Sequence, residues 1–161
     1  MRKRAFFFFI LLCALLQPTF LDAFRIFGVK PDLLLLSVVV ASINFKLRSA
    51  LFFSILSGIL KDAFSVHSFG LNTLLFPLWT LALFFLAKEV QLDDDYIRIG
   101  LVLAVALLHN LTQGFMIVYF GGVVPFGIFL RLTFLGVVYT TAVFCLLLRY
   151  VFPLLSLKQS R

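Results

Sequence analysis

Six apolar segments alternate with short polar connections along the chain. The sequence divides wherever charged residues, Pro or Gly cluster, and a helix that spans a bilayer needs about 20 mostly apolar residues. The second segment is the shortest, and at about 1.5 Å per residue it covers only part of a hydrocarbon core about 30 Å thick. The pattern predicts an all-α integral membrane protein, a six-helix bundle that forms one membrane domain over residues 1–161. The segments are roughly residues 5–24, 31–45, 49–65, 71–87, 96–120 and 125–152.

Composition excludes a soluble globular domain. Hydrophobic residues make up 63% of the chain and charged residues 13%, against about 45–50% and about 25% in soluble domains. A single core of this size cannot hide 22 Phe residues, because a small folded chain still exposes much of its surface. The net charge of +7 is spread between apolar runs, so a nucleic-acid partner is not expected.

Lys and Arg are unevenly divided between the two sets of connections. Six helices place both termini on one side of a bilayer, and cytoplasmic loops carry the excess of these cations. The side that holds the termini has ten of the 14 basic residues, which predicts cytoplasmic termini. These ten are Arg2, Lys3, Arg4, Lys46, Arg48, Lys88, Arg98, Arg149, Lys158 and Arg161.

The N-terminal residues begin like a secretory signal, with three basic residues followed by an apolar run. No small-residue cleavage site follows that run, and five more apolar segments come after it. We therefore interpret the first segment as an uncleaved transmembrane helix.

Local residue types account for several helix boundaries. Pro31 and Pro125 are expected at the first helical position, where the missing N–H costs nothing. Asp32, just inside the second helix, favours the positive end of the helix dipole.

Residues that account for helix boundaries and contacts also lie at the end of the third segment and in the connection that follows it. Gly58 permits close contact with a neighbouring helix, and Gly70 permits a left-handed turn before the fourth helix. Asp62 and Ser65 are three residues apart, so they share a helix face and can bridge to a neighbouring backbone.

Polar groups inside a bilayer are the default functional candidates, and the fifth segment holds three: His109, Asn110 and Gln113. His109 and Gln113 are four residues apart and lie on one face. They could form a small polar pocket or a proton relay, or they could form interhelical hydrogen bonds that lock the bundle. We favour the hydrogen-bonding role, because a relay needs further titratable groups at that depth and the sequence shows none.

Arg131 is the remaining charged candidate, six residues into the sixth segment. Asp62 and Asp32 have the same predicted depth. We expect Arg131 to pair with one of these acids and so to join the sixth helix to the second or third.

No arrangement of residues indicates catalysis. Ser65, His67 and Asp62 crowd one helix end and lack a separately held base, so they do not resemble a catalytic triad. The adjacent acids at 93–95 are expected in a solvated loop, since no His or second acidic cluster converges on them. The sequence therefore predicts no catalytic residue, no cofactor and no metal.

Three stretches resemble a known family. Lys-Pro-Asp-Leu-Leu-Leu-Leu at residues 30–36, Gly-Ile-Leu-Lys-Asp-Ala-Phe-Ser at 58–65 and Gly-Leu-Asn-Thr-Leu at 70–74 are similar to the pattern of the rod shape-determining protein MreD. Chain length and the six segments also match that family. The residues His-Ser-Phe at 67–69 stand where many family members have a Gly or Pro, just before the Gly-Leu entry to the fourth helix.

The resemblance implies a non-enzymatic, multi-pass protein of the bacterial inner membrane. Members of the family bind the single-span protein MreC and work beside MreB, RodA and a penicillin-binding protein in cell-shape maintenance and peptidoglycan synthesis. The alternative is a substrate-binding subunit of an energy-coupling vitamin transporter, of the S-component type, which also has six short helices. Such a subunit needs an outward pocket with convergent polar groups, for which the candidates are Asp62, His67, Asn72, Asn110 and Arg131.

Overall fold

The computed structural model describes residues 3–23, 29–64, 70–89, 94–119 and 125–151. These residues form six α-helices, and the last helix passes into a short π-helical turn, Leu147–Val151. The prediction of an all-α chain is confirmed for the residues that the structure describes. The helices are α1 (Lys3–Ala23), α2 (Leu33–Asn44), α3 (Leu47–Ala63), α4 (Leu71–Glu89), α5 (Asp95–Tyr119) and α6 (Phe126–Leu146).

Two helical segments of the described residues are long and apolar enough to cross a membrane, Asp95–Met116 and Gly127–Arg149. Leu33–Asn44 and Leu71–Ala87 are also apolar but shorter. Length and composition by themselves thus indicate two spans.

Helix α2 lies at the centre of the bundle. All nine residues from Leu34 to Ser42 are buried, and the helix contacts α1, α3 and α4 along its sides. A helix that is apolar on every face is stable where neighbouring helices or lipid surround it. Its 12 residues extend about 18 Å, so the short second segment is a helix that its neighbours enclose.

Both prolines lie one or two positions earlier than expected. Pro31 precedes the N-cap of α2, which is Asp32, and Pro125 is itself the N-cap of α6. The carboxylate of Asp32 accepts a hydrogen bond from the Leu35 backbone N–H at 3.0 Å. Capping by that side chain, more than the ring of Pro31, therefore defines the start of α2.

Helices α3 and α4 form a close backbone contact at the predicted position. A Cβ on Gly58 would lie 2.6 Å from the Thr73 Cα atom, closer than real side chains approach. Gly70, just before α4, has a φ of +88°, which favours glycine. The expectations for both glycines are confirmed.

Helices α5 and α6 pack mainly against one another, with lighter contacts to α2 and α4. The ring of Phe129 occupies the space that a side chain on Gly114 would need. The chain is thus a tightly packed group, α1–α4, to which the α5–α6 hairpin is added.

Candidate functional site

Asp32 is the centre of the first polar cluster. In addition to the Leu35 N–H, its Oδ1 atom accepts a hydrogen bond from Gln17 Nε2 of α1 at 3.4 Å. Its Oδ2 atom binds the ammonium of Lys61, which lies in the last turn of α3. The Asp32 and Lys61 side chains are each 14% exposed. A single carboxylate therefore links the ends of three helices.

His109 of α5 completes this cluster, which we call the Asp32 joint (Asp32, Lys61, His109 and Gln17). The Nε2 atom of His109 lies 2.9 Å from Lys61 Nζ and 3.8 Å from Asp32 Oδ2. Because an ammonium only donates, Nε2 accepts, and the ring proton is placed on Nδ1 of a neutral imidazole. Among the described residues, no group accepts from that Nδ1 atom.

The ring of Phe76 in α4 covers one side of the Asp32 joint. Lys61 Nζ lies 5.2 Å from the ring centroid, and the His109 ring centroid lies 5.3 Å from it. The aromatic face offers a further favourable contact to the ammonium. It also limits access of water, which strengthens the ion pair.

Asp62 is the centre of a second cluster, the Asp62 joint (Asp62, Asn72, Thr73 and Gln113). Its Oδ1 atom accepts from Asn72 N and Nδ2 at 3.1 and 2.7 Å. Its Oδ2 atom accepts from Thr73 N and Oγ1 at 2.8 and 2.7 Å. A carboxylate from the end of α3 thus caps the first turn of α4, where Gly70 has no side chain to do so.

Gln113 extends the Asp62 joint to α5, because its Nε2 atom donates to Asn72 Oδ1 at 2.7 Å. His109 and Gln113 therefore both bind neighbouring helices, as favoured from the sequence. The reason given for that preference was wrong in one respect. Two titratable groups, Lys61 and Asp32, do lie beside His109, and they come from other helices.

The expected pairing of Arg131 is corrected by these contacts. Asp32 is bound by Lys61, and Asp62 is bound by the first turn of α4. The Arg131 side chain is exposed on α6. Lys61 thus pairs with Asp32 where Arg131 was expected, and the ion pair joins α3, not α6, to the start of α2. Ser65 lies outside the described residues.

A cavity of about 280 Å³ adjoins both joints. It lies between α1, the start of α2, the end of α3 and the α5–α6 hairpin. Polar and charged side chains supply part of its lining, with apolar groups between them. The polar and charged lining residues are Gln17, Lys30, Asp32, Lys61, Asn110, Gln113, Thr133 and Thr140. Asn110, which was predicted beside His109 and Gln113, is therefore a cavity residue.

Sequence reasoning missed Lys61 as a site residue, since it was counted only among the four basic residues on the side opposite the termini. A usable signal was present, because Lys61 adjoins Asp62 at the depth predicted for Asp32. Of the candidate residues, the structure brings Asp32 and His109 together through Lys61, and it brings Asp62 and Gln113 together through Asn72. Pro31, Gly58 and Gly70 act on the backbone beside these joints.

No described group of three or more His, Cys, Asp or Glu side chains has the geometry to hold a metal ion. Comparison of the chain with protein-family models, curated proteins and solved structures finds no match. The functional argument therefore depends on the residues and geometry of this chain.

Proposed function

We propose that this chain is a six-span membrane scaffold of the MreD type, which binds a single-span MreC-like protein and supports the bacterial elongation machinery. The observation that carries the proposal is the location of the residues that resemble MreD. Asp32 links α1, α2, α3 and α5, whereas Gly58 and Asp62 fix α3 to α4. The residues that resemble the MreD pattern thus hold the helices together, as expected if that pattern specifies a shared fold.

The distribution of apolar and polar side chains supports membrane embedding. Leu74, Phe115 and Phe134 are 76%, 72% and 66% exposed, whereas Asp62 is 3% exposed and His109 is 0%. Large exposed apolar surfaces are unfavourable in water, and they are the ordinary outer surface of a helix bundle in lipid. The proposal therefore counts the shorter helices as spans as well, with α2 enclosed by the others.

The contacts that the buried charged side chains make support a binding role in preference to catalysis. Asp62 accepts four hydrogen bonds from α4, and the Asp32–Lys61 pair connects helix ends. These groups stabilise one arrangement of helices, which can then favour one arrangement of a bound partner. In this proposal MreB, RodA and the penicillin-binding protein are indirect partners, reached through the MreC-like protein.

The cavity beside the joints favours a second candidate function, that of an S-component-like substrate-binding subunit. Its volume of about 280 Å³ is close to the lower end of ligand pockets, which begin near about 300 Å³. Asn110, Gln113 and Thr133 could orient a small polar ligand there.

Isolation of the tagged full-length chain from native membranes in mild detergent, followed by mass spectrometry, tests the two candidates together. The scaffold proposal expects enrichment of a single-span MreC-like protein over an untagged control. Enrichment of an energy-coupling ATPase module without that protein would contradict the scaffold proposal and support the transporter subunit.

A further inference from the structure

A groove lies at the opposite end of the bundle from both joints, where α1 and α3 begin. We call it the basic groove and define it by Lys3, Arg4, Arg48, Phe8, Phe52 and Phe53, which line it. Its volume of about 600 Å³ lies within the range of ligand pockets, about 300–1,000 Å³. The N-terminal ends of α1 and α3, which are distant in sequence, therefore form a single groove.

Three cations converge on the basic groove without described acids to neutralise them. The side chains of Lys3, Arg4 and Arg48 are exposed, and the ion pairs among the described residues involve none of them. Like charges held together are unfavourable unless an anion joins them. The groove thus has the charge of an anion-binding site.

The start of α3 adds to this positive potential. The N-cap residue, Lys46, makes no side-chain hydrogen bond to the first turn. The Lys46 carbonyl accepts hydrogen bonds from the backbone N–H groups of Ser49 and Ala50, and the helix dipole still favours a negative group near the start of α3.

The aromatic residues distinguish between possible anions. Phe8 and Phe52 are 69% and 60% exposed, while Phe53 is 4% exposed and closes the floor of the groove. Phe53 is fixed by its contacts with Phe6 and Phe45, at ring-centroid distances of 5.0 and 5.2 Å. A free inorganic anion gains nothing from this apolar wall, whereas an amphiphile with an anionic head does.

We propose that the basic groove binds an anionic phospholipid of the cytoplasmic leaflet. Its phosphate contacts Arg4 and Arg48, and an acyl chain lies along Phe8 and Phe52. Basic pockets between helices on the cytoplasmic side are suited to such headgroups. This inference rests on the proposed function in one respect, since a six-span bundle with cytoplasmic termini places the groove in that leaflet.

Native mass spectrometry of the full-length chain in neutral detergent measures the binding of added phosphatidylglycerol and phosphatidylcholine. We expect tighter binding of phosphatidylglycerol. Each cation near an anionic lipid contributes about fivefold in affinity, so the double variant Arg4→Gln/Arg48→Gln should weaken phosphatidylglycerol binding about 25-fold. Circular dichroism should show unchanged helicity, because both side chains are exposed.

A control variant of equal charge, Arg98→Gln/Arg149→Gln, removes two cations of the same predicted side that do not line the basic groove. It should change the affinity less than about twofold. Equal losses for the two double variants would overturn the proposal, because net charge would then explain the binding. Displacement of the lipid by inorganic phosphate in moderate excess would also overturn it, by showing a site for a free anion.

The lipid-binding proposal and the proposed function can fail independently of one another. Release of the chain from native membranes by alkaline carbonate would contradict a membrane scaffold whatever the lipid measurement gave. Firm membrane retention and recovery of the MreC-like partner, together with no preference for phosphatidylglycerol, would overturn the lipid site alone.

Discussion

Replacing Lys61 with Met tests whether the Asp32 joint holds the bundle together. Methionine keeps most of the aliphatic stem that packs near Phe76 but removes the ammonium, so the Asp32 carboxylate loses its cation. Removing one partner from a buried ion pair costs about 3–5 kcal/mol. Both side chains are 14% exposed, so we expect a loss near the lower end, about 3 kcal/mol in the free energy of unfolding.

A double-mutant cycle separates the ion pair from other effects of the substitution. Asp32→Asn keeps a residue type that caps helices well but removes the negative charge. The double variant Asp32→Asn/Lys61→Met should be more stable than the sum of the two losses predicts, with a coupling energy of about 1–3 kcal/mol. The exposed pair Arg98–Asp95, at 3.1 Å, supplies the control, since Arg98→Gln should cost about 0–1 kcal/mol.

The assay is reversible unfolding of the purified chain in mixed detergent micelles, followed by the fluorescence of Trp79, the single tryptophan. A coupling energy within error of zero would refute the reasoning, because Asp32 and Lys61 would then contribute independently. A loss for Lys61→Met no larger than that for Arg98→Gln would refute it as well.

Three further predictions concern the backbone joints and the topology. Gly58→Ala should lower the unfolding free energy by about 1–3 kcal/mol because its Cβ meets the backbone of α4. The control Gly100→Ala places its Cβ in open space and should raise the unfolding free energy by about 0.5–1 kcal/mol. Equal effects of the two substitutions would contradict the close contact at Gly58. Gly70→Ala should cost about 1–2 kcal/mol in the same assay because of its φ of +88°, and an unchanged midpoint would contradict the left-handed turn. In spheroplasts of a cysteine-free background, a membrane-impermeant maleimide should label a Pro125→Cys variant and spare a Tyr96→Cys variant, and the reverse pattern would contradict cytoplasmic termini.

The helices were predictable because apolar runs separated by charges leave few places to divide the chain. The predicted end of the sixth helix, at residue 152, differs most from the structure, in which α6 ends at Leu146 and passes into the π-helical turn at Leu147. The start of α2 was displaced because Asp32 is a stronger capping group than the sequence argument assumed. The close contact at Gly58 and the left-handed conformation of Gly70 were predictable, because glycine has few other roles beside a polar helix end.

The partners of the buried charges were less predictable. The depth predicted from the sequence places Lys61 and Arg131 at the same end of the bundle, so both were candidate partners for Asp32. Which of them reaches it depends on which helices are neighbours, and α2 packs against α3 far more than against α6. Packing order among helices is a long-range property, and charge and spacing along the chain do not encode it directly. The pairing of Asp62 with α4 could have been predicted, because few residues separate Asp62 from the start of α4 along the chain.

Recovery of the MreC-like partner with an altered Asp62 joint tests the scaffold proposal most directly. Asp62→Ala leaves the donors of Asn72 and Thr73 without their acceptor, and it should reduce co-purification of the partner per unit of folded chain. Asp94→Ala, at an exposed position before α5, should leave recovery at the wild-type level. Equal recovery with the two variants, or no partner with the unaltered chain, would contradict the account.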